Sequence, residues 1–178
     1  MSPVIFLDLD GVCNDAAFIA EATKGVMDLQ IFDMALAQRT LDPTRVARVQ
    51  RICDETGAGV VFVTGWRRWA TCDEITACLR AVGLTASILG VVGQRFSGDC
   101  RATMTRWWLQ EHPEVTRWVV VDDLASHWAG CGPWLAGRWV RPADGLTEAD
   151  AARAIQILQG AETPSGGNDD PADDSEGA

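Results

Sequence analysis

Short apolar runs, each closed by a polar cluster, alternate along this chain with segments whose apolar positions recur at helical spacing. The runs are Pro3 to Leu9 (PVIFLDL), Val60 to Val63 (VVFV), a weaker Ile88 to Val92 (ILGVV), Trp118 to Val121 (WVVV) and a possible fifth, Gly137 to Val140 (GRWV). Runs that are apolar on both faces suit central parallel strands covered by helices on each side. Between them, Asp42 to Thr56 opens with Asp at an N-cap position and Pro at N1, and then puts Val46, Val49, Ile52 and Cys53 on one stripe. It stops at Gly57, a helix-ending residue. Further helices are predicted over Arg67 to Val82, over Arg101 to Glu111 before Pro113, and over Thr147 to Gln159, where Thr147 caps and Asp150 follows three residues on. Asn14 to Leu41 reads as a short helix followed by a hairpin or a second helix. Strand alternating with helix predicts an α/β chain: a three-layer, doubly wound, Rossmann-like parallel sheet.

The 178 residues are enough for one such domain, expected over 1–159. No run approaches the roughly 18 consecutive apolar residues of a membrane span. The start MSPVIFLDLDGV has no basic region leading to a cleavage site. A cytoplasmic chain with no membrane partner is the expectation. Residues 160–178 carry six of the 25 acids and no base, which leaves 19 acids against 15 bases in the rest. Rich in Gly, Pro, Ser and Asp, this tail cannot offset the entropy cost of ordering and is expected to be disordered. A mildly acidic body argues against tight binding to a long duplex, where affinity comes from Lys and Arg neutralising phosphates. Six cysteines without a C-x-x-C pair disfavour a zinc or disulfide framework, and four of them lie in or beside core-like stretches. With His112 and His127 the only histidines, a Ser-His-Asp machine has almost no raw material.

In open α/β sheets the ligand crevice lies at the carboxyl ends of the strands. There the first run ends in Asp8-Leu9-Asp10-Gly11-Val12, the second in Thr64-Gly65-Trp66-Arg67 and the fourth in Asp122-Asp123, while Arg101 opens the helix before the fourth. Four carboxylates in one small crevice raise one another's pKa unless a countercharge is present. A hard divalent cation with oxygen ligands supplies it, and Mg²⁺ fits. Taken singly, each motif has a plainer role. Asp8 and Asp10 can cap turns, and Asp122-Asp123 can cap a helix running to Trp128. Most of the eight tryptophans suit the core; Trp66, in the turn after the second run, is the one suited to base stacking. Arg67 and Arg68 are placed either to reach a substrate or simply to be solvated.

The ordered set D-x-D-G-V (Asp8 to Val12), Thr64, Arg101 and Asp122-Asp123 resembles the haloacid dehalogenase (HAD) superfamily of phosphohydrolases over residues 3 to about 158. The T-G-W-R turn, the R-x-x-x-x-x-x-W-L segment from Arg101 to Leu109 and the V-V-V-D-D end are similar to the small HAD domains associated with Swiss Army Knife RNA repair proteins. The resemblance implies Asp8 as nucleophile, Asp10 as general acid and base, Thr64 as phosphoryl hydrogen-bond donor and Arg101 as the motif cation. Arg106 competes for that last role, and lysine is the commoner residue there. Gly11, Gly65, Trp66 and Arg67 are expected to line the substrate. Mg²⁺ would be held by Asp8, Asp10 through its backbone carbonyl, Asp122 and Asp123. The slots for a cap domain are short, Asn14 to Leu41 allowing at most a minimal lid. An open site admits a phosphorylated substrate such as a nucleotide or a nucleic-acid end. A non-catalytic phosphate- or protein-binding module and a phosphotransferase are the other readings of the same residues.

Overall fold

The computed structural model describes residues 2–25, 33–93 and 101–160. The tail expected to be disordered lies outside them apart from Gly160, as do 26–32 of the expected lid and 94–100. Five strands, β1 (Val4–Leu7), β2 (Gly59–Phe62), β3 (Ile88–Val91), β4 (Trp118–Val121) and β5 (Trp139–Val140), form one sheet in the order β3-β2-β1-β4-β5. Every neighbouring pair is parallel. The doubly wound parallel sheet read from the sequence is the architecture found.

The period-2 geometry of β1 explains the three layers. Ile5 and Leu7 join Val60, Phe62, Val119 and Val121 in one core, under helices α3 (Pro43–Thr56), α4 (Cys72–Ala81) and α7 (Glu148–Gln159). Val4 and Phe6 face the other way, with Val61, Val63 and Val120, onto Ala102 and Met104 of helix α5 (Arg101–Glu111) and onto Trp128 and Leu135. β1, β2 and β4 are buried throughout because each has a strand on both sides and helices on both faces. β3 lies at an edge and is half-open. A register shift beside Val60 leaves Leu89 48% exposed.

Asp42 caps α3 and Gly57 closes it in the left-handed region, at φ 69°, as predicted. α5 spans Arg101–Glu111 residue for residue. The predicted Arg67 to Val82 helix is instead two elements, a 3₁₀ turn Gly65–Arg68 and α4. Thr71 is the reason: its hydroxyl accepts the Glu74 N–H at 3.2 Å while Glu74 accepts the Thr71 N–H at 2.8 Å, so a capping box starts a new helix there. The fifth predicted strand shortens to two residues. Within Asn14 to Leu41 the described elements are helices α1 (Ala16–Ala22) and α2 (Met34–Arg39). After β4 come a 3₁₀ turn Ala125–Trp128 and a short helix, α6 (Gly132–Leu135), which the periodicity did not signal.

Candidate active site

The carboxyl end of β1 continues straight into Asp8, whose N–H donates to the Val121 carbonyl at 2.9 Å and so extends the sheet by one rung. This leaves the Asp8 side chain buried at the mouth, where its Oδ1 accepts the Leu9 N–H at 2.8 Å. Its Oδ2 accepts from Nη1 of Arg101, and the same nitrogen donates to Oδ2 of Asp122 at 2.6 Å. One buried cation thus ties the ends of β1 and β4 to the start of α5. Arg106 takes no part: its guanidinium lies over the Trp134 ring, 4.9 Å from the centroid. Of the two arginines, Arg101 lies at the acids and Arg106 does not.

Asp122 also serves the plainer role read from the sequence, since its Oδ1 accepts the Leu124 N–H at 2.9 Å and shapes the turn after β4. Trp139 Nε1 holds the Asp122 carbonyl at 3.0 Å, and Arg141 Nε holds that of Asp123 at 3.0 Å. Asp8, Asp122 and Asp123 each offer a carboxylate oxygen within 4.8 Å of the others. Gly11, at φ +73°, makes room for this arrangement: a Cβ there would sit 2.3 Å from Oδ2 of Asp123. The Asp123 carboxylate is thus pressed against bare backbone, and among the described residues its buried Oδ1 has no hydrogen-bond partner.

Burial raises the Asp8 carboxyl to about 7; Asp122 adds to the rise, and Arg101 pulls the other way. Burial, and then Asp122, also hold Asp123 above the usual carboxylate range. Burial pulls Arg101 down, but Asp8 and Asp122 more than offset it and keep the guanidinium charged. One arginine cannot balance three acids. An all-oxygen donor set, a buried oxygen lacking a donor and a glycine clearance beside it together fit a hard divalent cation at Asp8, Asp122 and Asp123.

Asp10, two residues beyond Asp8, is exposed. Its Oδ2 accepts from Trp66 Nε1 at 2.9 Å and its Oδ1 from Asn14 Nδ2 at 3.2 Å. Asn14 is fully buried and its own Oδ1 accepts the Gly11 N–H at 2.8 Å. Trp66 corrects the stacking expectation: it is 2% exposed, which leaves its ring no face for a base, and its N–H is directed at Asp10. Arg67 is buried too, against the solvated alternative, with Nη1 donating to the Thr64 carbonyl at 3.1 Å; Arg68 is exposed. Thr64 is fully buried and its Oγ1 accepts the Trp66 N–H at 3.3 Å, so the hydroxyl proton remains available to a ligand. A Cβ on Gly65 would meet Nη2 of Arg101 at 4.0 Å, which puts the β2 turn beside the Asp8 cluster. Trp69 packs on Trp66 with centroids 5.3 Å apart and is 43% exposed.

Sequence reasoning passed over Asn14, Trp139 and Arg45. Arg45 on α3 pairs with Asp15, donates to the Asn14 carbonyl at 3.1 Å and to the Asp144 carbonyl at 2.8 Å, and so ties down the loop after β1. Asn14, four residues past Asp10 in a polar turn, was the one detectable signal. A cavity of about 60 Å³ lined by Trp128, Leu135, Trp139 and Arg153, among others, includes none of the acids and meets the site only at Trp139.

An all-parallel sheet whose first strand delivers D-x-D-G to a buried arginine and whose fourth delivers paired acids defines a HAD-like domain. The family model for the HAD domain in Swiss Army Knife RNA repair proteins matches residues 4–151, and the chain belongs to that family. No curated protein and no solved structure matches it. The family supports a phosphatase-type hydrolase. No helix among the described residues is long and apolar enough to cross a membrane.

Proposed function

We propose that this chain is a Mg²⁺-dependent phosphomonoester hydrolase that works through an aspartyl phosphate on Asp8, with a nucleotide or a nucleic-acid terminal phosphate as substrate. The observation that carries this reading is the single Arg101 nitrogen shared by Asp8 and Asp122, beside an Asp123 oxygen that lacks a donor. Bound at Asp8, Asp122, Asp123 and the Asp10 carbonyl, Mg²⁺ would offset the negative charge of the acids and of the transferring phosphoryl group.

The chain's own groups account for the remaining steps. An Asp8 carboxylate oxygen attacks phosphorus as the bond from phosphorus to the leaving oxygen breaks, and Asp10 gives that oxygen its proton. The Asp10 carboxylate then takes a proton from water as the water oxygen bonds to phosphorus and the Asp8 ester bond breaks, which restores both acids. Arg101 opposes the burial that raises the Asp8 carboxyl and orients it, and the Thr64 hydroxyl donates to a non-bridging oxygen. The Gly65 turn, which carries no side chain, lets the phosphate approach the backbone closely, while the bare Gly11 makes room for Asp123. Arg67, anchored on the Thr64 carbonyl, fixes that turn from below. Trp69 packs directly on the partner of Asp10, which favours a planar group on the leaving side, and the RNA-repair description of the family points the same way. Among the described residues no cap domain covers the mouth, which suits the end of a polymer.

Phosphate release from p-nitrophenyl phosphate and from 3′- or 5′-phosphorylated oligonucleotides, with Mg²⁺ or with EDTA, tests the reading. The expected result is metal-dependent release that Asp8→Asn abolishes. Full turnover by Asp8→Asn refutes the nucleophile, and a silent wild type across a broad phosphate panel refutes the enzyme.

A further inference from the structure

Asp10 is the most exposed member of the acidic constellation, and an exposed aspartate ordinarily samples several rotamers. Here both its oxygens are held. Trp66 reaches Oδ2 from a turn 56 residues away, and Asn14 reaches Oδ1 from the loop that Asp10 itself begins. The two donors are themselves locked in place. Trp66 is buried in the core. The Asn14 amide has its oxygen fixed by the Gly11 N–H at 2.8 Å, which turns its NH₂ toward Asp10. That leaves no freedom to flip.

The chemistry of the donors matters as much as their rigidity. An indole N–H and an amide NH₂ donate only, so neither can take a proton from Asp10. The two bonds therefore fix the direction of the carboxyl and leave proton exchange to a group on its open side. We infer that Trp66 and Asn14 are positioning residues that aim Asp10 at the leaving oxygen, which specialises the site for phosphate esters of aliphatic alcohols, whose alkoxides cannot depart unprotonated. Sugar hydroxyls belong to that class. This inference rests on the proposed phosphatase reading and adds to it which residues make Asp10 an effective acid and which leaving groups need them.

A good leaving group needs no proton in the transition state, so the device predicts an asymmetry that a merely structural role would not produce. The measurement is kcat/KM for wild type, Trp66→Phe and Asn14→Ala, each loaded with Mg²⁺, on glycerol phosphate, phenyl phosphate and 2,4-dinitrophenyl phosphate. This ratio reports only the steps up to formation of the aspartyl phosphate and so leaves out its Asp10-assisted hydrolysis, common to all esters. Trp66→Phe keeps an aromatic ring in the core and removes the N–H. Well-placed acid catalysis contributes about 10²–10⁴-fold, so losing one of two aiming bonds should slow glycerol phosphate about 10-fold. 2,4-Dinitrophenyl phosphate should stay within about 2-fold of wild type, with phenyl phosphate between. Asn14→Ala should show the same ordering, less steeply because its bond is the longer, and it carries the test should Trp66→Phe not fold. Equal loss on all three esters, or none on glycerol phosphate, overturns the positioning role while the phosphatase reading stands. A wild type that releases phosphate from none of them overturns that reading and the positioning role with it.

Discussion

Replacing Arg101 with methionine removes a guanidinium that is 4% exposed and that holds two carboxylates through one nitrogen. Methionine is unbranched, ends two atoms short of the guanidinium nitrogens and has no charge, so Asp8 and Asp122 are left facing each other in a buried mouth with Asp123 beside them. Breaking one partner out of a buried ion pair costs about 3–5 kcal/mol, because the orphaned charge stays desolvated. At roughly 2–4 °C per kcal/mol for a chain of this size, the metal-free variant should melt roughly 6–20 °C below wild type at pH 8. The gap must depend on pH. Asp8 holds its proton up to about 7 in the folded chain against an ordinary value of 3.8, and losing Arg101 pushes it higher still. Below that range the folded variant carries a neutral Asp8, so acidification should narrow the gap.

Thermal melts of wild type, Arg101→Met and Arg101→Lys in EDTA at pH 5 and pH 8, repeated with Mg²⁺, check this. Arg101→Lys is the informative control: one nitrogen makes both contacts, so an ammonium can supply them, and this variant should stay within about 1 kcal/mol of wild type. Mg²⁺ should recover part of the loss in Arg101→Met by binding the exposed excess of negative charge. A methionine variant melting within 2 °C of wild type at pH 8 would refute the claim that Arg101 compensates these acids (the gap expected being about 6 °C or more). A gap unchanged between pH 5 and pH 8 would do the same.

The remaining expectations concern the same mouth. In EDTA, the wild type should lose stability as pH climbs from roughly 4 to 7, because the folded chain binds the Asp8 proton more tightly than the unfolded chain does. Denaturant titrations of Asp8→Asn should lack that decline. Gly11→Ala should cost about 1–2 kcal/mol for a positive φ, and more once its Cβ displaces the Asp123 carboxylate. Calorimetric titration with Mg²⁺ should show about 10- to 100-fold weaker binding for this variant, as for other residues that orient metal ligands. Wild-type affinity in Gly11→Ala would argue that Asp123 is not a ligand.

What the sequence disclosed and what it hid have physical causes. β1, β2 and β4 are legible because a strand buried on both faces must be apolar at consecutive positions, whereas β3 and β5, each with one neighbour, carry mixed and shorter runs. α1 buries none of its residues, so nothing in its pattern could fix its limits. The acids of the site are legible for a related reason: they follow directly on readable strands, at the end of the sheet where parallel strands deliver side chains to a common crevice. Arg101 against Arg106 was undecided by residue type. At about 100° per residue, five residues place the two about 140° apart around α5, so only one can face the mouth, and the angle alone does not say which. The tie between Trp66 and Asp10 is of another kind. Nothing in periodicity distinguishes an indole that fills the core from one that fills the core and also spends its N–H on a carboxylate 56 residues away. Both roles demand the same large, buried, aromatic residue beside the β2 turn. Only the second demands the nitrogen, so substitution by phenylalanine separates what the sequence leaves superposed.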